Sequence, residues 1–303
     1  MTPTVTKTAA SIKLHAWTPR KQRGPLKWPG GKQYLARRLL ALAPTDITTY
    51  VEPFLGGGSL FLNLHCGVYQ RALMVDVNPR VANLWTVLQS QQAFPLFYHD
   101  ICNTPYTEAT LLEHQENLSR DLGRIEWAIS FMVINRMSRG GFGKTFAWSD
   151  RQRGGKPGDQ NAWETAILEL PAIHLKLQQH PTIICQGDGL PLLSSDIWCD
   201  DPKAFCYADP TYLPETLTCK HLYEHIMTRE QHVQMLESAL KIKGRVMISG
   251  YHSTLYAEML QGWRAYAFDI ANHCGQGKVK QRRVECVWVN YTPPGLVELQ
   301  QVA

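Results

Sequence analysis

Short runs rich in Val, Ile, Phe and Tyr recur along this chain, and helical patterns separate most of them. That alternation limits the fold more than any other feature. The runs cover residues 49–52, 72–77, 182–186, 204–208, 245–249, 265–271 and 284–291. Amphipathic patterns at 79–89, 126–137, 162–179 and 229–241 predict helices between them. Strands that return through helices build a mostly parallel sheet covered on both faces. The last two runs are joined by about a dozen residues rich in Gly, Lys and Arg, which predicts a closing antiparallel hairpin. The expected fold is therefore α/β, a Rossmann-like sheet of seven strands with the last one antiparallel.

The rhythm breaks once. About a hundred residues separate the second run from the third, far more than one crossover needs. This stretch contains Ser138-Arg139-Gly140-Gly141-Phe142-Gly143-Lys144 and Arg153-Gly154-Gly155-Lys156-Pro157-Gly158, which suggest a flexible or hairpin-like element rising from the sheet. The expected organisation is a basic arm over 1–24, a sheet domain from 25–94 and 181–292, an insert over 95–180 and a tail over 293–303.

At 303 residues and 44% hydrophobic content the chain can bury one full-sized core. No run approaches the ~18 apolar residues of a membrane span, and the start carries no apolar segment like a signal peptide, so a cytoplasmic place is expected. The eight cysteines form no C-x-x-C pair, and reduced thiols are expected. The net charge of +5 is unevenly spread. Basic residues gather in the first 24 positions, in 135–160 (Arg136, Arg139, Lys144, Arg151, Arg153) and in 278–283 (Lys278, Lys280). Three separated basic patches suit a phosphate backbone; a solvated surface is the plainer account of any one of them. Phe142 and Trp148 lie among the middle patch, a mixture that fits base readers and phosphate clamps as well as packing of the insert.

Two loops carry the chemistry. The first strand ends at Glu52 and runs into Pro53-Phe54-Leu55-Gly56-Gly57-Gly58, where missing side chains let backbone amides approach a ligand. It is not the dinucleotide fingerprint, because the third glycine would fall at Phe61. Gly31-Lys32 is not a phosphate loop, because Leu26 and Gln33 stand where Gly and Ser/Thr are required. Asp76 ends the next strand, placed to accept both hydroxyls of a ribose or to cap the following helix. Asp188 follows the third strand, either as an acceptor for an adenine amine or as a turn residue. A nucleoside without a pyrophosphate points to S-adenosylmethionine.

The second loop is Asp209-Pro210-Thr211-Tyr212 at the end of the buried run 204–208. The lone pair of an exocyclic amine on a nucleobase is delocalised into the ring. A carboxylate (Asp209) and a fixed carbonyl (Pro210) that accept its two N–H groups favour a pyramidal nitrogen facing an electrophile. Tyr212 would stack on that base, which must leave its duplex to be reached.

Taken together these blocks strongly resemble the Dam-like, D12-class family of N6-adenine DNA methyltransferases. The matching pieces run in the family's order across roughly 25–292. They are Leu26-Lys27-Trp28-Pro29-Gly30-Gly31-Lys32, then Tyr50-Val51-Glu52-Pro53-Phe54-Leu55-Gly56-Gly57-Gly58-Ser59-Leu60-Phe61, then Asp76-Val77-Asn78-Pro79. Asn135-Arg136, the tetrapeptide at Asp209 and Val287-Trp288-Val289-Asn290-Tyr291 complete the set. The resemblance implies a class I S-adenosylmethionine-dependent methyltransferase sheet with a target-recognition insert, acting on double-stranded DNA in a bacterial or phage-infected cell. It implies that Trp28 and Lys32 lie beside the methionine part of the cofactor, that Glu52, Phe54, Gly56 and Gly58 line its central portion, and that Asp76 holds the ribose. Asp209 would serve both cofactor site and chemistry, with Pro210 and Tyr212 completing the catalytic set.

Thr211 departs from the family, which has proline there; both amine acceptors survive the change. No metal is called for, and no endonuclease-like segment or obligate protein partner is visible. A cytosine-C5 enzyme is excluded because none of the cysteines follows a proline. His114-Gln115-Glu116 resembles half of a zinc deaminase signature, but the P-C-x-x-C half is missing. N4-cytosine methylation, and a catalytically weak DNA-binding protein that keeps the fold, remain as alternatives.

Overall fold

The computed structural model describes residues 22–28, 30–217, 224–271 and 282–294. Its strands are β1 (Thr49–Glu52), β2 (Arg71–Asp76), β3 (Gln152–Arg153), β4 (Lys156–Pro157), β5 (Thr182–Gln186), β6 (Phe205–Ala208), β7 (Arg245–Tyr251), β8 (Arg264–Ala271) and β9 (Arg282–Val289). Its helices are α1 (Ala36–Leu42), α2 (Pro79–Gln89), α3 (Ala93–Asn103), α4 (Glu108–Asn117), α5 (Arg124–Met137), α6 (Gly158–Gln178), α7 (Arg229–Lys241) and α8 (Thr254–Met259).

Seven strands form one sheet in the order β5-β2-β1-β6-β7-β9-β8. All neighbours run parallel except β9, which is antiparallel to both β7 and β8. The expected seven-stranded α/β sheet with an antiparallel last strand is therefore the observed one. Side chains alternate between its faces as the two-residue period requires. Tyr50, Phe205, Tyr207 and Met247 point into one buried cluster, while Val51, Cys206, Ala208 and Ile248 point into the other. The first face is covered by α1 and α2. The second is covered by α7 and α8. β1 and β6 are buried along their whole length, which explains why β6 is an uninterrupted apolar or aromatic run.

Strand ends differ from the sequence expectation for local reasons. β2 stops at Asp76 because the next residues start α2, whose N-terminus is capped by the Asn78 side chain with Pro79 in the first turn. β9 stops at Val289 because the Asn290 side chain takes over the edge, accepting from Val246 N (2.7 Å) and donating to the Gly244 carbonyl (2.9 Å).

Chain order reverses between β1 and β6, so a crevice opens beyond their C-terminal ends. The loop after β1, the end of β2 and the tetrapeptide after β6 all converge there. The helices of 95–180 share the first face's core: Phe97, Ile101, Leu111, Met132, Leu170 and Ile173 pack in one cluster with Trp85 and Leu88 of α2. The stretch between α5 and α6 carries the expected hairpin, β3 against β4, and an isolated bridge between Ser138 and Phe146. Among the described residues no helix is long and apolar enough to cross a membrane.

Candidate active site

The loop after β1 is shaped by close approach. Gly56 has φ +46°, and a Cβ there would lie 2.5 Å from the Trp28 indole nitrogen. Its N–H donates to Asp76 Oδ2 (2.7 Å), and its carbonyl accepts from the Trp85 indole (2.9 Å). Asp76 Oδ1 accepts from Asn78 N (2.8 Å). Burial raises the Asp76 pKa, and the two backbone donors oppose that rise. Trp28, Lys32, Phe54, Gly56, Asp76 and Asp188 all face one cavity of about 1140 Å³.

Two residues expected to line it do not. Glu52 is 2% exposed beneath the loop, its Oε2 accepting from the Tyr50 hydroxyl (2.9 Å). Burial pushes its carboxyl well above the ordinary value, and the Tyr50 bond only partly opposes this. Gly58 backs onto the Trp85 ring, which a Cβ would meet at 2.6 Å. Neither lines the cavity, although Glu52 lies near enough to feel the charges of Asp209 and Asp76. Asp188 stands exposed at the rim, where its Oδ1 also accepts from Leu190 N (3.0 Å).

The other wall is charged. Asp209, Pro210 and Thr211 line the cavity just past β6. Asp209 Oδ1 receives the Lys32 ammonium (2.7 Å) and the Ser249 hydroxyl (2.7 Å), and Ser249 in turn meets Tyr207 OH (3.1 Å). Both of these partners fall on Oδ1, which leaves Oδ2 as the oxygen presented to an incoming group. Lys32 is 2% exposed and also approaches Glu285 Oε1 (3.4 Å) and the Gly30 carbonyl (2.9 Å). Burial works against its charge, but Asp209 and then Glu285 outweigh it, so its pKa is held well above the usual lysine value. Thr211 Oγ1 accepts from Met227 N (2.9 Å), fixing the tetrapeptide to the segment that leads into α7.

Tyr212 is placed differently from expectation. Its ring is 4% exposed, its hydroxyl donates to Glu285 Oε2 (2.9 Å), and it stacks on Tyr251 with centroids 3.9 Å apart at 7°. One face of the ring expected to stack on a base is thus occupied by another aromatic ring. Sequence reasoning missed Glu285, Ser249 and Tyr251. Glu285 had a signal, as a lone acid inside the apolar run Val284-Glu285-Cys286-Val287 of a strand, which demands a buried cation.

The rim on the insert side carries exposed Arg139 and Lys144 on the cavity wall, with exposed Phe142 beside them and Trp148 further along. Arg151 is exposed nearby, and Arg153 lies in the hairpin backbone. Arg136 corrects the expectation of a DNA contact. Its guanidinium turns inward to the carbonyls of Pro25 (2.7 Å) and Gly24 (2.5 Å), and burial lowers its pKa to about 10. Next to it Asn135 pairs with both backbone groups of Lys27, accepting at 2.7 Å and donating at 3.0 Å. These two residues of α5 tie the block at 25–28 across the cavity. Lys278 and Lys280 lie outside the described residues, as do the arm through residue 21 and the tail from 295.

Residues 28–141 match the family described as D12 class N6 adenine-specific DNA methyltransferase. The chain is 32% identical over 128 residues to the DNA adenine methylase of Haemophilus influenzae, covering 40% of this chain and 42% of that protein. It is 39% identical over 72 residues to the DNA adenine methylase of Vibrio cholerae, covering 24% of each. These two alignments therefore span less than half of those relatives. A longer alignment joins it to the DNA adenine methylase of Escherichia coli, 24% identical over 297 residues, covering 90% of this chain and 97% of that protein.

Proposed function

We propose, from the chain's similarity to the D12 class, that it transfers a methyl group from S-adenosylmethionine to N6 of an adenine extruded from double-stranded DNA. The observation that carries this is the Asp209 carboxylate, fixed through Oδ1 by Lys32 and Ser249 on the wall of a cavity whose opposite side is the Gly56–Asp76 loop. The cavity fits the cofactor: a glycine lets the loop's amide approach closely, and Asp76 offers a buried carboxylate with lone pairs beyond those given to Gly56 and Asn78. S-adenosylmethionine, when bound, supplies the electrophilic methyl group.

The remaining work falls to this chain's own residues. Asp76 accepts the ribose hydroxyls, Trp28 lies beside the cofactor's methionine part, Phe54 packs its middle, and Asp188 at the rim accepts the adenine amine. Asp209 Oδ2 and the Pro210 carbonyl accept the two N–H groups of the target amine, which frees its lone pair for in-line attack. The surplus N6 proton leaves through Asp209 Oδ2. Lys32 and Ser249 hold that carboxylate in one rotamer. Arg139, Lys144 and Arg151 contact phosphates, and Phe142 stands where base edges pass, so target reading falls to the insert over 95–180. The place of action is the cytoplasm of a bacterial or phage-infected cell.

The test is incubation with S-adenosylmethionine and unmethylated duplex DNA, followed by nucleoside mass spectrometry, with Asp209→Ala alongside. N6-methyladenine from the wild type alone is the expected result. N4-methylcytosine would move the substrate to cytosine, and no methylated base despite DNA and cofactor binding would leave a binding protein.

A further inference from the structure

We propose that Thr211 reads the target base, its hydroxyl donating to a ring nitrogen of the adenine whose amine Asp209 and Pro210 accept. The inference rests on the adenine-methylation reading and adds a specificity-determining residue to it. Asp209, Pro210 and Thr211 are consecutive, and all three line the cavity. The first two present acceptors only, a carboxylate oxygen and a backbone carbonyl. Of the three, Thr211 alone carries a side-chain donor, which a proline at that place would not supply.

The hydroxyl is fixed in place while its hydrogen is uncommitted. Oγ1 accepts from Met227 N at 2.9 Å, and Met227 also lines the cavity, so this bond lies at the wall. It holds the half-buried side chain and uses one lone pair of the oxygen. The hydroxyl hydrogen therefore points away from Met227, and among the described residues it has no acceptor. Adenine answers that pattern. Its amine is flanked by N1 on one edge and N7 on the other, and both are acceptors. Cytosine has a ring acceptor on one side of its amine and a C–H on the other. Guanine places a carbonyl oxygen where adenine has the amine, and two acceptors repel it. Two acceptors followed by a donor thus match adenine whichever edge faces Thr211, whereas cytosine matches in one orientation only.

Sequencing of DNA modified by the wild type locates the target adenine. Duplexes then carry adenine, 7-deazaadenine or 1-deazaadenine at that position, each analogue keeping the amine but losing one ring acceptor. The comparison is of kcat/KM for wild type, Thr211→Ser and Thr211→Val. Thr211→Val should lower kcat/KM on adenine by about 2- to 12-fold, the worth of one hydrogen bond. On one of the two analogues that difference should vanish, because the partner is already gone, and on the other it should persist. The analogue that abolishes it names the nitrogen. Thr211→Ser keeps the hydroxyl and should retain the wild-type pattern. S-adenosylmethionine affinity by calorimetry should be equal in all three proteins, which marks an intact fold. An equal loss for Thr211→Val on adenine and both analogues, or no loss on adenine, would overturn the proposal and leave Thr211 as an anchor for Met227. A wild type that methylates cytosine, or no base, would instead overturn the adenine reading and this proposal with it.

Discussion

The glycines at 56–58 and those at 154–155 are built in opposite ways. In the loop under the cavity, a side chain at Gly56 would strike Trp28 and one at Gly58 would strike Trp85. At the tip of the β3–β4 hairpin, Gly155 has φ +77° but nothing within 4 Å of where a Cβ would stand. Both positions need glycine, one because neighbours press on it and the other only because the turn demands a left-handed backbone. Where neighbours fix a residue, one substitution should disturb stability and ligand together. Where only the turn fixes it, the cost should stay local.

The sharpest way to break this contrast lies at the cavity's buried cation. Lys32→Met leaves Asp209 and Glu285 facing each other without their counter-charge. We expect a loss of about 3–5 kcal/mol in denaturant unfolding, together with loss of methylation. Gly56→Ala should cost about 3 kcal/mol, combining overpacking against Trp28 with a strained backbone. Its cofactor affinity should fall at least tenfold in calorimetry, because the amide that Asp76 accepts must move.

Arginines divide the same way. Arg136→Ala should cost about 2–3 kcal/mol in unfolding, since two charge-assisted bonds to buried carbonyls are lost, and should leave the salt dependence of DNA binding unchanged. Arg139→Ala and Lys144→Ala should leave unfolding unchanged and each reduce the salt slope of DNA affinity by about 1. If Arg136→Ala changed the slope instead, the division between inner clamp and outer rim would fail.

Glu52 tests the buried floor through pH. Its folded pKa is raised above the ordinary 4.5, chiefly by burial, so it binds protons more tightly in the folded protein than in the unfolded one. Stability from this group is full below pH 4.5 and declines as pH climbs toward the raised value. Glu52→Gln should therefore gain in melting temperature relative to wild type as pH rises from 4.5 to 8, and the two curves should converge at acid pH. Gly155→Ala carries the smallest effect, about 1 kcal/mol or less, with activity and cofactor affinity kept.

The same contrast explains what was legible in the sequence. β1 and β6 are buried throughout, so their residues are constrained from both faces and their runs match the observed strands closely. The loop at 53–58 was readable because its glycines answer to large neighbours. The place of Asp209 on the cavity wall was readable because it directly follows a buried run. Glu52 and Gly58 were placed correctly in the chain but are buried and do not line the cavity, since a motif gives order and not depth. Arg136 misled because charge in a sequence does not reveal which carbonyls lie within reach. Tyr251 and Ser249 were invisible because their roles arise from pairing β7 beside β6, a contact between residues some forty positions apart.

The position of β9 has a consequence for how the molecule is made. Of the strands described, it is the last in chain order, yet it lies between β7 and β8 and carries Glu285. During translation β8 emerges before the strand that will join it to the sheet, and must wait as an unpaired ribbon. Until β9 inserts, the Lys32 and Asp209 pair lacks its second carboxylate, and Tyr212 lacks the acceptor for its hydroxyl. Completion of the charged cluster around Lys32 and closure of the sheet are therefore one late, long-range event, and a ribosome stalled before residue 282 would carry the loop at Gly56 beside an unfinished Asp209 wall.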